Sequence, residues 1–278
     1  MAYFYGIHYS DASCGLSRRV YIPRYNDVLV PLFCRCVGDP NCRKRATIIR
    51  ELGLSGDKRA VPVLLHALND PAEHVRQMAA SALGNLGDER AVEPLIQKIR
   101  SGRAGVSALY ALSAIGSPKA INCLCEVLAN NKSEHMREQS GIALGWVKPK
   151  RTSVAALKRA YHSDAAIRVR IFSACALELG NHDQGCFQFL ADQLDSQDLQ
   201  ARRAAAECVC FRLGIGHRTT PLIIQTLRDD DEETAWYAWE ELDKHFSDGT
   251  ITYSPRHENF KAIADEYEAM WEKVKGQQ

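Results

Sequence analysis

The sequence predicts an all-α protein: a right-handed solenoid of about six to seven helical hairpins with a C-terminal capping helix. Three observations predict it. A unit recurs along the chain at spacings of 29 to 33 residues, and each unit carries two apolar stripes at helical spacing separated by a turn. At 278 residues the chain is also long for one compact core, a difficulty that a stack growing in one dimension avoids. Apolar residues at 46% and charged residues at 25% are ordinary for a folded chain and far from the composition of disorder.

The clearest unit runs from Asp57 to Gly87. Asp57 stands where a helix N-cap is needed and Pro62 falls in the first turn, where its missing N–H costs nothing. Val61, Leu64, Leu65 and Leu68 form one apolar stripe; Asn69, Asp70 and Pro71 then break the helix. A second helix from about Glu73 carries Val75, Ala79, Ala82, Leu83 and Leu86, and Gly87 supplies a left-handed C-cap.

The register follows Arg76 and, eleven residues later, Gly87. Arg45 and Gly56, Gly105 and Gly116, Arg137 and Lys148, Arg170 and Asn181, and Arg203 and Gly214 repeat the pairing. Five of the six cap positions thus hold Gly or Asn, the residues that tolerate positive φ. The recurring Arg is expected to build a ladder of hydrogen bonds between adjacent repeats with Asp39, Asp70 or Asp164 in the inter-helix turns. Gly105 breaks that pattern, which predicts a bend or a looser contact in the third repeat.

The segments RAVPVLLHAL and VRQMAASALGNLGD resemble the HEAT-like repeats named after phycobilisome lyases, over about residues 40 to 245. The resemblance implies architecture more than activity, because such repeats serve in bilin lyases, hydroxylases and scaffolds alike. The chain divides accordingly into an aromatic-rich segment 1–23, a solenoid 24–246, and a linker with an amphipathic helix over 247–278. Phe260, Ile263, Ala264, Tyr267, Met270, Trp271 and Val274 give that helix one broad apolar face, suited to capping the stack or to binding a partner. Tyr3, Phe4, Tyr5, Tyr9, Tyr21 and Tyr25 are expected to cover the first repeat or to form a docking arm.

In related solenoids the second helices line the concave side. Counting from the Arg position, offsets +1, +5 and +8 point away from the core stripe at about 100° per residue. In the second repeat they are Gln77, Ser81 and Gly84; later they become Val106 and Tyr110, Ile142, Ile171 and Cys175, then Cys208 and Phe211, with Trp146 at the edge. Two readings stand: an apolar strip that holds a partner, or side chains buried between tightly packed repeats. Trp236 and Trp239 form a second candidate site, an aromatic pair beside the acidic run Asp229 to Glu233, with core packing as the alternative. Trp236, 33 residues after Arg203, is placed at the Arg position.

Catalytic signals are weak. Di-iron hydroxylases of the HEAT-like class place His-Glu pairs at the start of second helices, whereas the one such dipeptide here is His257–Glu258, outside the repeats. Cys34/Cys36, Cys123/Cys125 and Cys208/Cys210 are spaced two apart, which on a helix does not form a zinc clamp. No cofactor or metal is expected. Net charge is +1, divided into +7 over residues 1–150 and −6 over 151–278. The acidic C-terminal part opposes a nucleic-acid surface, although Trp236 and Asp243 superficially resemble the aromatic and acidic residues that HEAT-like DNA glycosylases use. The N-terminus has no basic start and apolar run, no stretch reaches the length of a membrane span, and ten cysteines without such a leader read as reduced thiols, so a cytoplasmic location is expected. These features predict a non-enzymatic interaction scaffold that contacts another protein along its concave face. The alternative implied by the resemblance is a bilin lyase or chromophore-chaperone subunit acting on a phycobiliprotein together with a second HEAT-like subunit.

Overall fold

The computed structural model describes residues 38–102, 105–148, 150–181, 183–246 and 260–275. The aromatic N-terminal segment, Cys34, Cys36, His257 and Glu258 lie outside these residues. Fourteen α-helices follow in order among those described: α1 Cys42–Leu54, α2 Val61–Ala67, α3 Glu73–Leu86, α4 Val92–Arg100, α5 Gly105–Ile115, α6 Pro118–Asn130, α7 Glu134–Gly145, α8 Arg151–Ser163, α9 Ile167–Asn181, α10 Gln184–Leu194, α11 Leu199–Glu207, α12 Thr220–Thr226, α13 Glu232–Phe246 and α14 Phe260–Lys275. Even-numbered helices form the first row and odd-numbered helices the second, an all-α solenoid of hairpins.

Local chemistry sets each hairpin. Asp57 accepts the Arg59 N–H at 2.9 Å and starts a 3-10 turn that runs into α2, where Pro62 occupies the first turn. Asp88 does the same for Arg90 before α4. Gly56, Gly87, Gly116 and Gly214 adopt φ of 71°, 60°, 65° and 67° at the ends of their second helices, a conformation that a side chain would strain. In α2 and α3 the predicted stripes are buried except Leu65, which is half-buried.

The arginine ladder is present and more specific than the sequence shows. Five of the inter-helix turns hold an Asp or Asn whose side chain accepts the N–H two residues on, Asp39, Asp70, Asn131, Asp164 and Asp229, and in a sixth the Ser196 hydroxyl does so. The Arg six residues after the turn donates back to the carbonyl of its own turn, as Arg45 to Asp39, Arg76 to Asp70 and Arg137 to Asn131. Arg45 and Arg137 also reach the carboxylate of the next turn. Arg45 grips Asp70 with two bonds of 2.8 Å, and Arg137 grips Asp164 at 2.8 and 2.9 Å.

Three rungs lack an Arg–carboxylate pair, the first because the turn before α5 offers Arg76 no Asp or Glu. Gly105 stands where the Arg would be and faces the neutral Asn131 turn; Arg170 would face Ser196 and instead bonds the Tyr161 carbonyl at 3.1 Å. At Gly105 the contact of α5 with α7 is looser than that of α3 with α5 or of α7 with α9.

The expected register fails by one residue in the sixth repeat. Arg202, rather than Arg203, bonds its own turn at Ser196 and reaches Asp229 at 3.0 Å, while Arg203 makes a separate clamp on Asp231. The extra residue is absorbed by a π-helical turn over Cys208–Leu213 that continues α11, so Gly214 lies twelve residues from its Arg instead of eleven. The same shift places Ala235, not Trp236, at the equivalent position of α13.

The second helices touch backbone to backbone. A Cβ on Gly53 would lie 2.6 Å from the Cα of Ala82, one on Gly84 2.8 Å from the Cα of Ala111, and one on Gly145 3.0 Å from the Cβ of Ala176. Between α5 and α7 the small pair is Ser113 and Ala143, joined by a 2.6 Å hydrogen bond from the serine hydroxyl to the carbonyl. First helices pack on one another less closely, except α6 on α8 beside the loose α5–α7 contact. A stack spaced more tightly along one row curves toward that row, so the second helices form the inner side. α14 lies on α12 as an added member of the first row and buries Phe260, Ile263, Ala264 and Tyr267.

Arg137→Ala should cost about 2–3 kcal/mol in urea unfolding, because it strands the Asp164 carboxylate, whose side chain is 10% exposed. A loss under about 0.5 kcal/mol would show that the ladder contributes little. A pH effect follows from Asp88, which two hydrogen bonds from the Arg90 guanidinium, and a third from its N–H, hold at about 2. The folded state binds this proton less readily than the unfolded chain, so the stabilisation is complete above about pH 4 and disappears as the pH falls toward 2. Asp88→Asn, which keeps the cap, should flatten that part of the acid unfolding curve.

Candidate functional site

The inner face is not diametrically opposite the core stripe. The following repeat covers offset +8 of each second helix through the Gly and Ser contacts, and the preceding repeat touches offset +6. What remains open lies around offset +9, at about 180° from the Arg position, and around offset +5, at about 140°, except in α7 and α9, where Ile142 and Cys175 are buried. Offset +9 holds Leu54, Asn85, Ala114, Trp146 and Leu179, all exposed, and then the half-buried Phe211.

This geometry divides the candidate strip. Ile142, Ile171, Cys175 and Cys208 are at most 4% exposed and belong to the core, so the packed-between-repeats reading holds for them. Cys208, at offset +6 from Arg202, takes the place that Ala82, Ala111, Ala143 and Ala176 hold in earlier repeats. Val106, Tyr110 and Phe211 are half-buried, and Trp146 is 45% exposed. The exposed Leu54 and Leu179 were missed by sequence reasoning; the +9 column reveals them once the register is set.

Tyr110 and Trp146 are stacked, with ring centroids 4.9 Å apart and planes at 27°. The Tyr110 hydroxyl donates to Gln139 of α7, and Gln139 donates to Glu138 at 3.2 Å. Glu138, 6% exposed, accepts two bonds from Arg168 of α9 at 2.9 and 3.1 Å. Arg168 and Arg212 both lie over the Phe172 ring, at 5.3 and 5.2 Å, and both approach Glu207. A second aromatic group follows, in which Phe211 meets Tyr237 of α13 edge-on at 5.3 Å and Tyr237 donates to Glu233 at 2.7 Å. Burial, reinforced by that bond to a carboxylate, raises the Tyr237 hydroxyl far above the ordinary phenol range.

The face therefore crosses α5, α7, α9, α11 and α13 as two aromatic clusters joined by two carboxylates and two guanidiniums that compensate one another. Such a surface offers apolar contact with little net charge. Three buried thiols are not poised as nucleophiles. Burial raises Cys208 and Cys210 well above the ordinary thiol value and pushes Cys186 up to about 12. Among the described residues no three His, Cys, Asp or Glu side chains are grouped to hold a metal, and no helix is long and apolar enough to cross a membrane. Trp236 and Trp239 are brought together at 4.9 Å, with Trp236 40% exposed and Trp239 half-buried.

The family model for HEAT repeats matches residues 30–106. Among solved structures, the complex of CpcE and CpcF of phycocyanin lyase from Nostoc sp. PCC7120 is similar at 19% identity and a TM-score of 0.52, over 86% of this chain and 94% of that one. Human deoxyhypusine hydroxylase is 18% identical over 77% of this chain and 83% of its own, with a TM-score of 0.33. No curated protein matches in sequence. Residues 30–106 thus match HEAT repeats, and the chain shares the α-solenoid fold of the phycocyanin lyase complex.

Proposed function

We propose that this protein is a non-enzymatic scaffold or adaptor that holds a partner protein along the inner face of its second helices. The observation that supports it is the Tyr110–Trp146 stack, whose large exposed indole has no role in closing the core. Aromatic anchors held by neighbouring side chains suit recognition, because little side-chain freedom is lost when a partner covers them. The compensated Glu138–Arg168–Glu207–Arg212 centre favours a partner segment of mixed polarity over a phosphate backbone.

A second reading draws on the fold. The phycocyanin lyase neighbour is a two-subunit complex, and a bilin lyase or chromophore-chaperone subunit would use the Tyr110–Trp146 stack against a flat tetrapyrrole beside a second HEAT-like subunit. Mixing with a bilin separates the readings: a sharpened, shifted red absorption supports the second, and an unchanged spectrum removes it.

The scaffold reading is tested by affinity capture from the host lysate with the wild type and with Tyr110→Ser/Trp146→Ser as baits. A protein retained in stoichiometric amount by the wild type should bind the double variant about 30-fold more weakly or worse, with the variant still folded. Equal retention by both baits would contradict the assignment of this face.

A further inference from the structure

Among the described residues α13 is the last member of the second row, and the earlier members show what covers their counterpart positions. At offset +4 each preceding second helix carries a residue enclosed by the stack: Ile49, Ala80, Leu109, Gly141, Ala174 and Ala206, all buried. In α13, counted from Ala235, offset +4 is Trp239, and Trp236 stands at offset +1, where Ala46, Glu138 and Ile171 are buried and Gln77, Val106 and Arg203 half-buried. The two indoles lie on the side that a next second helix would cover.

α14 does not supply that helix. It continues the first row on α12, tied there by Arg228 to Asp265 and Glu268 at 2.6 and 2.7 Å and by Lys261 to Asp230 at 3.2 Å. It meets α13 near the C-terminal end of that helix, where Phe246 and Tyr267 are 6.1 Å apart.

Charge selects the occupant. Over residues 228–246 and 260–275 there are 12 acidic and 5 basic side chains. On α13 itself Glu232, Glu233, Glu240, Glu241 and Asp243 accompany one lysine, Lys244. We infer that the open edge of α13 docks a basic helical segment of a partner protein, which takes the place of a next second helix. Small or aliphatic residues of that segment pack on Trp236 and Trp239, and its lysines or arginines face Glu232 and the indole rings. This surface is separate from the inner face around Trp146, so Trp146→Ser leaves it intact.

The test uses the full chain and a labelled amphipathic peptide of lysine, alanine and leucine of about 15 residues, the length of α13, followed by fluorescence anisotropy. The wild type should bind it, more weakly as salt rises, and a peptide with glutamate for lysine should not bind. Trp236→Ala should weaken binding about tenfold or more, and Glu232→Lys, which does not touch the packing of the indoles, should weaken it as well. Absence of binding by the wild type, equal binding by Trp236→Ala, or equal binding of the two peptides would overturn the inference.

Discussion

The second helices of this stack approach until one backbone lies against the next, and that approach depends on residues with little or no side chain. Gly53 against Ala82, Gly84 against Ala111, and Gly145 against Ala176 leave no room for a larger group. Close spacing on one row and wider spacing on the other makes the stack curve. It also decides which side chains face solvent, because the flank of each second helix is consumed by its neighbours. The open face is displaced accordingly, and the Tyr110–Trp146 stack occupies it.

Above this contact sits a layer of charge that fixes the register. One carboxylate shapes its own turn by capturing the N–H two residues on and accepts the guanidinium of the preceding repeat. Burial raises the Asp164 carboxyl, and the Arg137 hydrogen bonds outweigh it, leaving it below the usual range; at Asp70 the Arg45 bonds dominate outright. Removing the Arg alone would leave a carboxylate without its partner in a partly dry site. The rungs at Gly105/Asn131 and Arg170/Ser196 lack the carboxylate, and Arg170 is redirected to a carbonyl and the Phe189 ring.

Much of the fold was legible because helical periodicity, Pro at helix starts and Gly at helix ends are local signals. The hairpin from Asp57 to Gly87 could be read residue by residue. The one-residue slip at Arg202 was not legible: two adjacent arginines fit the spacing equally well, and the π-helical turn that absorbs the slip leaves no mark in an apolar run such as Cys208 to Leu213. The face was misplaced for a related reason. A helical wheel locates the side opposite one stripe, whereas in a stack a second flank is also covered, and only neighbouring helices reveal how far. Local pattern therefore left open whether Ile142, Ile171, Cys175 and Cys208 were exposed or packed between repeats, and it passed over Leu54 and Leu179. The Glu138–Arg168–Glu207–Arg212 layer joins helices 30 or more residues apart in sequence, beyond the reach of local pattern.

The most direct measurement compares the unfolding free energy of Gly84→Val with that of Asn85→Val, adjacent residues of one helix that differ in what lies outside them. The Gly84 side chain would meet the Ala111 backbone at 2.8 Å, whereas Asn85 is exposed. The account predicts a loss of about 1–3 kcal/mol or more for the first and less than about 0.5 kcal/mol for the second. Equal losses would contradict the claim that contact between second helices sets the curve and the face it presents.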